Sequence, residues 1–175
     1  WGPCHIDMFA SRLNKRLPLF FSWRPDPEAQ AIDAFLQDWS PFLGYAFPPF
    51  VMIPRVLSQV RRQAAELVIV TPFWRSQVWY PVILELTCAP PLLLPHRWNL
   101  LLDPADNPHP LILSGQLWLI AWRVSGKDGV SRDFRQRLPP SLMKPGLPAR
   151  TNATHRPGED GVVGVWNGVQ IPLKR

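Results

Sequence analysis

The chain has few cysteines, no long apolar run, and no glycine in the turn after its first apolar segment; each shortage excludes a class of protein. Its two cysteines, Cys4 and Cys88, lie far apart and match no metal or redox spacing, and its four histidines form no ligand pair with them. No metal is therefore assigned. The longest apolar runs, such as Leu92-Leu93-Leu94, fall far short of the ~20 residues of a membrane span, and no charged-then-apolar leader begins the chain. No membrane partner is expected, and the expected compartment is intracellular, nuclear or cytoplasmic. A start at Trp1 without an initiator Met, and an end at Lys174-Arg175 after a Gly-rich stretch, point to a piece of a longer polypeptide. No Gly-x-Ser-x-Gly turn occurs, and His5 and Ser11 share one short segment without a spacing that demands contact, which sets aside a serine hydrolase.

What is present is unevenly distributed. At 175 residues and 46% apolar, the chain can bury one core and is too short for two ordinary domains. Of its 9 Trp, 9 Phe and 2 Tyr, only Phe134 and Trp166 follow Arg123. Residues 1–122 carry 9 Lys and Arg against 9 Asp and Glu, whereas residues 123–175 carry 10 against 4, so the net charge of +6 belongs to the tail. That tail also holds 7 Gly and 6 Pro, close to the roughly 25% at which a packed core is no longer expected. The expectation is a folded domain over 1–124 and a flexible basic linker over 125–175, attracted to nucleic acid through its charge.

Apolar periodicity within 1–124 alternates between strand and helix. Ile6-Asp7-Met8-Phe9 reads as a first strand and Leu19-Phe20-Phe21 as a second; Pro25 and Pro27 forbid regular pairing in the stretch that follows. A strand Gly44-Tyr45-Ala46-Phe47 precedes a helix marked by Ile53, Val56, Leu57 and Val60, with Arg55, Arg61 and Arg62 on its other face. Leu67-Val68-Ile69-Val70 reads as a strand covered on both faces, and Ser76–Leu86 as a second helix through Trp79, Val82, Ile83 and Leu86. Leu92–Leu94, Leu111–Leu113 and Trp118–Trp122 read as later strands. The sum is an α/β fold: a Rossmann-like, mostly parallel sheet flanked by helices, with an irregular basic C-terminal tail. In such sheets ligands bind beyond the carboxyl ends of the strands, which picks out Asp7 with Phe9-Ala10-Ser11, Pro48-Pro49-Phe50 and Pro72-Phe73-Trp74 as the walls of one crevice.

Ala46-Phe47-Pro48-Pro49-Phe50 carries the most chemistry. A strand running into a proline pair and then an aromatic leaves backbone carbonyls and a flat ring at an open edge. Enzymes that methylate the exocyclic amine of adenine place Asp or Asn, then Pro-Pro, then Tyr, Phe or Trp at such an edge. A side-chain oxygen and a proline carbonyl there hold the amine, and the ring stacks on the base. Here the position of the acid or amide is Phe47, which accepts no strong hydrogen bond.

Several segments in order carry a resemblance: Ile6-Asp7-Met8-Phe9-Ala10-Ser11-Arg12-Leu13-Asn14, Phe21-Ser22-Trp23-Arg24-Pro25-Asp26-Pro27, Asp33-Ala34-Phe35, Trp39, Gly44 to Phe50, and Pro72-Phe73-Trp74-Arg75-Ser76-Gln77-Val78-Trp79-Tyr80-Pro81. Over about residues 1–125 the chain resembles the segment that follows reverse transcriptase and RNase H in polyproteins of DIRS-type retrotransposons, which integrate with a tyrosine recombinase. That segment is similar to phage-type DNA adenine methyltransferases. The resemblance implies S-adenosylmethionine as cofactor, faced by Asp7, Phe9, Ala10, Ser11 and Asn14 and bordered by Asp33. It further implies a base pocket of Phe47, Pro48, Pro49 and Phe50, with Phe73, Trp74 and Trp79 as further base- or nucleic-acid-stacking aromatics. The implied partners are nucleic acid, DNA before RNA, and flanking polyprotein domains. The chain departs from the pattern at Phe47 and in lacking a Gly-rich turn after the first strand. The expectation is a methyltransferase-like domain with impaired catalysis; the alternative is a non-catalytic spacer that binds nucleic acid between RNase H and recombinase. Polymerase and RNase H activities are excluded from this stretch, which has no Asp-Asp hairpin and no clustered carboxylates to hold metal ions.

Overall fold

The computed structural model describes residues 1–103, 105–138 and 161–175. A seven-stranded sheet runs through them in the order β3-β2-β1-β4-β5-β7-β6. Its strands are β1 (Ile6–Ala10), β2 (Phe20–Ser22), β3 (Ala31–Ile32), β4 (Leu43–Ala46), β5 (Glu66–Pro72), β6 (Leu92–Leu93) and β7 (Leu119–Ser125). The first five pair in parallel. β7 pairs antiparallel with β5 along seven residues, from Glu66 opposite Ser125 to Pro72 opposite Leu119, and β6 pairs antiparallel with β7. The α/β, mostly parallel, helix-flanked architecture read from the sequence is therefore the architecture found. The strand order reverses between β1 and β4, and in doubly wound sheets the ligand crevice lies at that reversal.

Side-chain alternation assigns the two faces. From β5 and β7, Leu67, Ile69, Ile120, Trp122 and Val124 enter a core built with the helices α1 (Ile53–Arg62) and α2 (Tyr80–Leu86). Their neighbours Val70, Leu119 and Ala121 enter a second apolar cluster with Ile112 and Leu117. α1 begins with Pro54 in its first turn, where a missing N–H costs nothing, and buries Ile53, Val56, Leu57 and Val60. It ends on Arg61 and Arg62, which favour the negative end of the helix dipole. Gly126 packs against that end so closely that a Cβ there would lie 2.0 Å from the Val60 carbonyl oxygen, so no other residue fits without backbone movement.

Three readings of the sequence change. Leu111-Ile112-Leu113 is not a strand but part of a short helix, α3 (Pro110–Leu113): Pro110 starts it and the His109 ring nitrogen Nδ1 accepts from the Leu111 N–H, 3.2 Å away. Nor does the core end near Val124. Residues 128–136 form a helix, α4 (Asp128–Gln136), and β8 (Val162–Trp166) pairs with β9 (Val169–Pro172) as a hairpin whose Val163 and Ile171 are fully buried in the main core. The linker expected over 125–175 therefore holds for neither described part of that segment; residues 139–160 lie outside the described residues. The hairpin is held by the Tyr80 hydroxyl, which donates to the Val163 carbonyl at 2.8 Å, and by Arg75, which donates to the Val162 carbonyl at 2.8 Å. Beyond it, the Lys174 N–H bonds to the Pro91 carbonyl and the Leu93 N–H to the Lys174 carbonyl, both at 2.8 Å, alongside β6. Among the described residues no helix is long and apolar enough to cross a membrane.

Candidate functional site

The reversal between β1 and β4 opens onto a cavity of about 620 Å³ lined by residues from the carboxyl ends of β1 to β4. β1 contributes Met8, Phe9, Ala10, Ser11 and Asn14; β2 is followed by Trp23; β3 is followed by Asp33, Ala34 and Phe35; β4 is followed by Phe47, Pro48, Pro49, Phe50 and Met52. A volume of this size holds a nucleoside-sized ligand.

The loop after β1 closes without glycine because its own side chains satisfy its backbone. Asn14 Oδ1 accepts from the Ser11 N–H at 2.7 Å and from the Ser11 hydroxyl at 3.0 Å, and the Ser11 hydroxyl oxygen accepts from the Leu13 N–H at 3.3 Å. The Ser11 carbonyl takes the N–H groups of Asn14 and Lys15. In loops that cradle a pyrophosphate such N–H groups point at the anion. Here those of Ser11, Leu13, Asn14 and Lys15 are spent within the loop, and no Lys, Arg or His among the described residues lines the cavity.

The opposite wall is fixed by α1. Gln63 accepts from the Trp39 N–H at 2.7 Å and donates to the Gln37 carbonyl at 3.0 Å, while Gln59 donates to the Phe35 carbonyl at 3.3 Å. These bonds hold Phe35 and the fully buried Trp39 around Phe9, with ring centroids 5.5 Å and 6.4 Å from it in edge-on contact. Asp33 starts the turn Ala34–Leu36 at a φ of 52°, its Oδ1 accepting from the Phe35 N–H at 3.0 Å. This is backbone strain at the cavity wall, in a residue type that tolerates positive φ.

At the end of β4, Phe47 and Phe50 meet with centroids 6.2 Å apart, and Phe50 meets Trp74 edge-on at 5.4 Å. Pro49's carbonyl accepts from the Met52 N–H at 2.8 Å and starts the turn into α1. Pro48 lines the cavity, and among the described residues nothing donates to its carbonyl.

The structure thus gathers Phe9, Ala10, Ser11, Asn14, Asp33, Phe47, Pro48, Pro49 and Phe50 around one cavity, and leaves four expected residues elsewhere. Asp7 sits in mid-strand, opposite Phe20 and Tyr45, three residues short of the strand's end. Its buried carboxylate accepts from the Arg16 N–H at 2.9 Å and from the Phe9 N–H at 3.4 Å, so it anchors the loop from beneath. Burial pushes its carboxyl above the usual range, although both backbone bonds and the nearby Arg16 charge pull the other way. Trp79 is buried in the main core against Tyr80, where no base can stack on it. Phe73 packs on Tyr80 and lies under the Arg75 guanidinium, 4.9 Å from its ring centre. Trp74 does not line the cavity but backs Phe50. Sequence reasoning missed Met8, Trp23, Ala34, Phe35 and Met52; the strand-end rule, applied to β2 as it was to β1 and β4, would have found Trp23.

Elsewhere the chemistry is quiet. Desolvation pushes the Cys88 thiol up to about 11 and raises that of Cys4, so neither is a thiolate nucleophile near neutral pH. Among the described residues no group of three His, Cys, Asp or Glu could hold a metal ion. Comparison with protein-family models, with curated proteins and with solved structures finds no match to this chain.

Proposed function

We propose that this chain is a retroelement-derived domain of the DNA adenine methyltransferase type that holds S-adenosylmethionine and a nucleic-acid base, and in which Phe47 impairs methyl transfer. The observation that carries the reading is the convergence, at the sheet's reversal point, of the β1 loop, Asp33 and Phe47-Pro48-Pro49-Phe50 on one cavity. Its lining suits the nucleoside part of such a cofactor. Aromatic and apolar walls suit a purine, Asp33 can accept from a ribose hydroxyl or an amine, and the spent loop amides and missing cations disfavour a pyrophosphate. When bound, S-adenosylmethionine supplies an electrophilic methyl on its sulfonium. The chain's own part is to seat the base: Phe50, braced by Trp74, offers a stacking face, and Pro48 offers a carbonyl acceptor.

Phe47 cannot supply the second acceptor that would hold and polarise the amine. Losing one such contact slows a reaction by about a hundredfold to a thousandfold. The partner proposed is DNA before RNA, with polyprotein domains flanking the fold. Calorimetric titration with S-adenosylmethionine and a radiolabelled methyl-transfer assay on adenine-containing DNA test the reading. The cofactor binds both wild type and Phe47→Asn, and the variant transfers at least a hundredfold faster. Absence of cofactor binding, or wild-type turnover equal to the variant's, refutes it and leaves the spacer reading.

A further inference from the structure

We infer that the corner formed by Phe47, Pro48 and Phe50 recognises adenine that already carries one methyl on its exocyclic nitrogen, in preference to unmodified adenine. The inference rests on the adenine-type reading of the cavity and asks what its altered corner is now complementary to.

The corner combines two rings and one carbonyl. Phe47 and Phe50 lie with centroids 6.2 Å apart at an interplanar angle of 58°, and Trp74 braces Phe50 edge-on from behind. Both phenyl groups line the cavity, and nothing among the described residues donates to the Pro48 carbonyl beside them. Among the described residues the other polar side chains of the cavity are engaged or remote from this end. The Ser11 hydroxyl and Asn14 Oδ1 are spent on each other and on loop N–H groups. Asp33 follows β3, three strand positions from β4 and so about 14 Å away at ~4.8 Å per position.

An unmodified adenine amine brings two N–H donors to this place. One reaches the carbonyl, and the other meets the face of Phe47 without a strong partner, which is costly once water is excluded. A monomethylated amine brings one N–H and one methyl, matching one carbonyl and one apolar face. A dimethylated amine brings no donor and strands the carbonyl. The expected rank is therefore monomethyl first, with unmodified and dimethyl adenine both weaker. The site so described binds the product of adenine methylation.

The test titrates the full chain against fluorescently labelled single-stranded DNA carrying one adenine that is unmodified, monomethylated or dimethylated. A single strand avoids the separate cost of extracting the base from a duplex. The monomethylated strand is expected to bind about tenfold more tightly than the unmodified one, equal to ~1.4 kcal/mol, and Phe47→Asn to erase or reverse that ratio. The same three bases offered as free nucleosides tell the two sources of the ligand apart: the ratio in both formats, or in strands alone, supports the inference. Equal binding of all three strands by the wild type overturns it, whether or not the variant folds. S-adenosylmethionine titrated in parallel separates the failures: cofactor binding without a methyl preference sinks this inference alone, and binding of neither sinks the adenine reading as well.

Discussion

The two halves of the sheet divide the labour. In the parallel half, β3-β2-β1-β4-β5, the segments after the first four strands converge on the cavity, and Trp74 beyond β5 backs Phe50 there. The antiparallel half, β7 with β6, contributes no residue to that cavity among those described, nor does the separate β8–β9 hairpin, yet β7 holds the fully buried Trp122. Strand direction explains the difference. Parallel strands bring successive carboxyl ends to one edge, whereas an antiparallel strand brings its amino end there and serves as a brace.

The sharpest way to break this comparison is Trp122→Ala. The ring is fully buried and its Nε1–H donates to the Thr71 hydroxyl at 2.9 Å, so its removal is expected to cost about 3–5 kcal/mol, read as a fall in the urea midpoint. If the halves are as separate as proposed, the variant that remains folded keeps its ligand affinity. Asp33→Asn attacks the other side. The amide keeps the bond to the Phe35 N–H and tolerates the positive φ, so stability should move by no more than about 0.5 kcal/mol. Cofactor affinity should fall about tenfold through loss of the charge-assisted acceptor, measured by calorimetry. A stability loss exceeding the binding loss would erase the distinction.

A smaller effect belongs to the junction. Glu66 of β5 pairs with Arg123 of β7 at 3.0 Å and with Lys127, just before α4, at 3.2 Å. Burial alone would raise its carboxyl, but the two side-chain bonds hold it below the ordinary 4.5. Its contribution is thus present above pH 4.5 and is lost as pH falls through the lowered value. Glu66→Gln should cost under about 1 kcal/mol at pH 7, and the gap from wild type should close on acidification, as seen in paired denaturation curves. The smallest and opposite change is expected at Asp7. Its carboxyl is raised above the ordinary 3.8, so its favourable contribution is complete below that pH and is lost as pH rises through the raised value. Asp7→Asn removes that pH dependence but leaves one of the two N–H groups without an acceptor, so its stability relative to wild type should improve as pH rises from about 4 to 7, as paired denaturation curves would show.

Much of this was legible in the sequence because periodicity reports burial. Leu67-Val68-Ile69-Val70 and the Ile53, Val56, Leu57, Val60 set yielded β5 and α1 directly, and Phe47 to Phe50 fell on the cavity wall because a motif at a strand end is placed by the strand. β3 has two residues, too few for a period of two to show. Leu111–Leu113 was misread because three apolar residues fit either period, and only Pro110 and His109 decide for helix. Asp7 was misplaced because the pattern gives no strand end to the residue: the bulged pairing of β1 carries the edge on to Ala10. The C-terminal elements escaped because the Gly, Pro and basic residues of 123–175 were weighed together, whereas Val163, Ile171 and Leu173 sit in a short apolar stretch whose partners lie far away in the chain.

Lys174, laid beside Pro91 and Leu93, covers one border of the large sheet. At the far border, β3 offers a foreign strand only two residues to copy, and at this border the segment around Lys174 already occupies part of the row of donors and acceptors that would otherwise recruit a neighbour. Shaving off the last few residues would leave the cavity untouched and unmask a template for self-association.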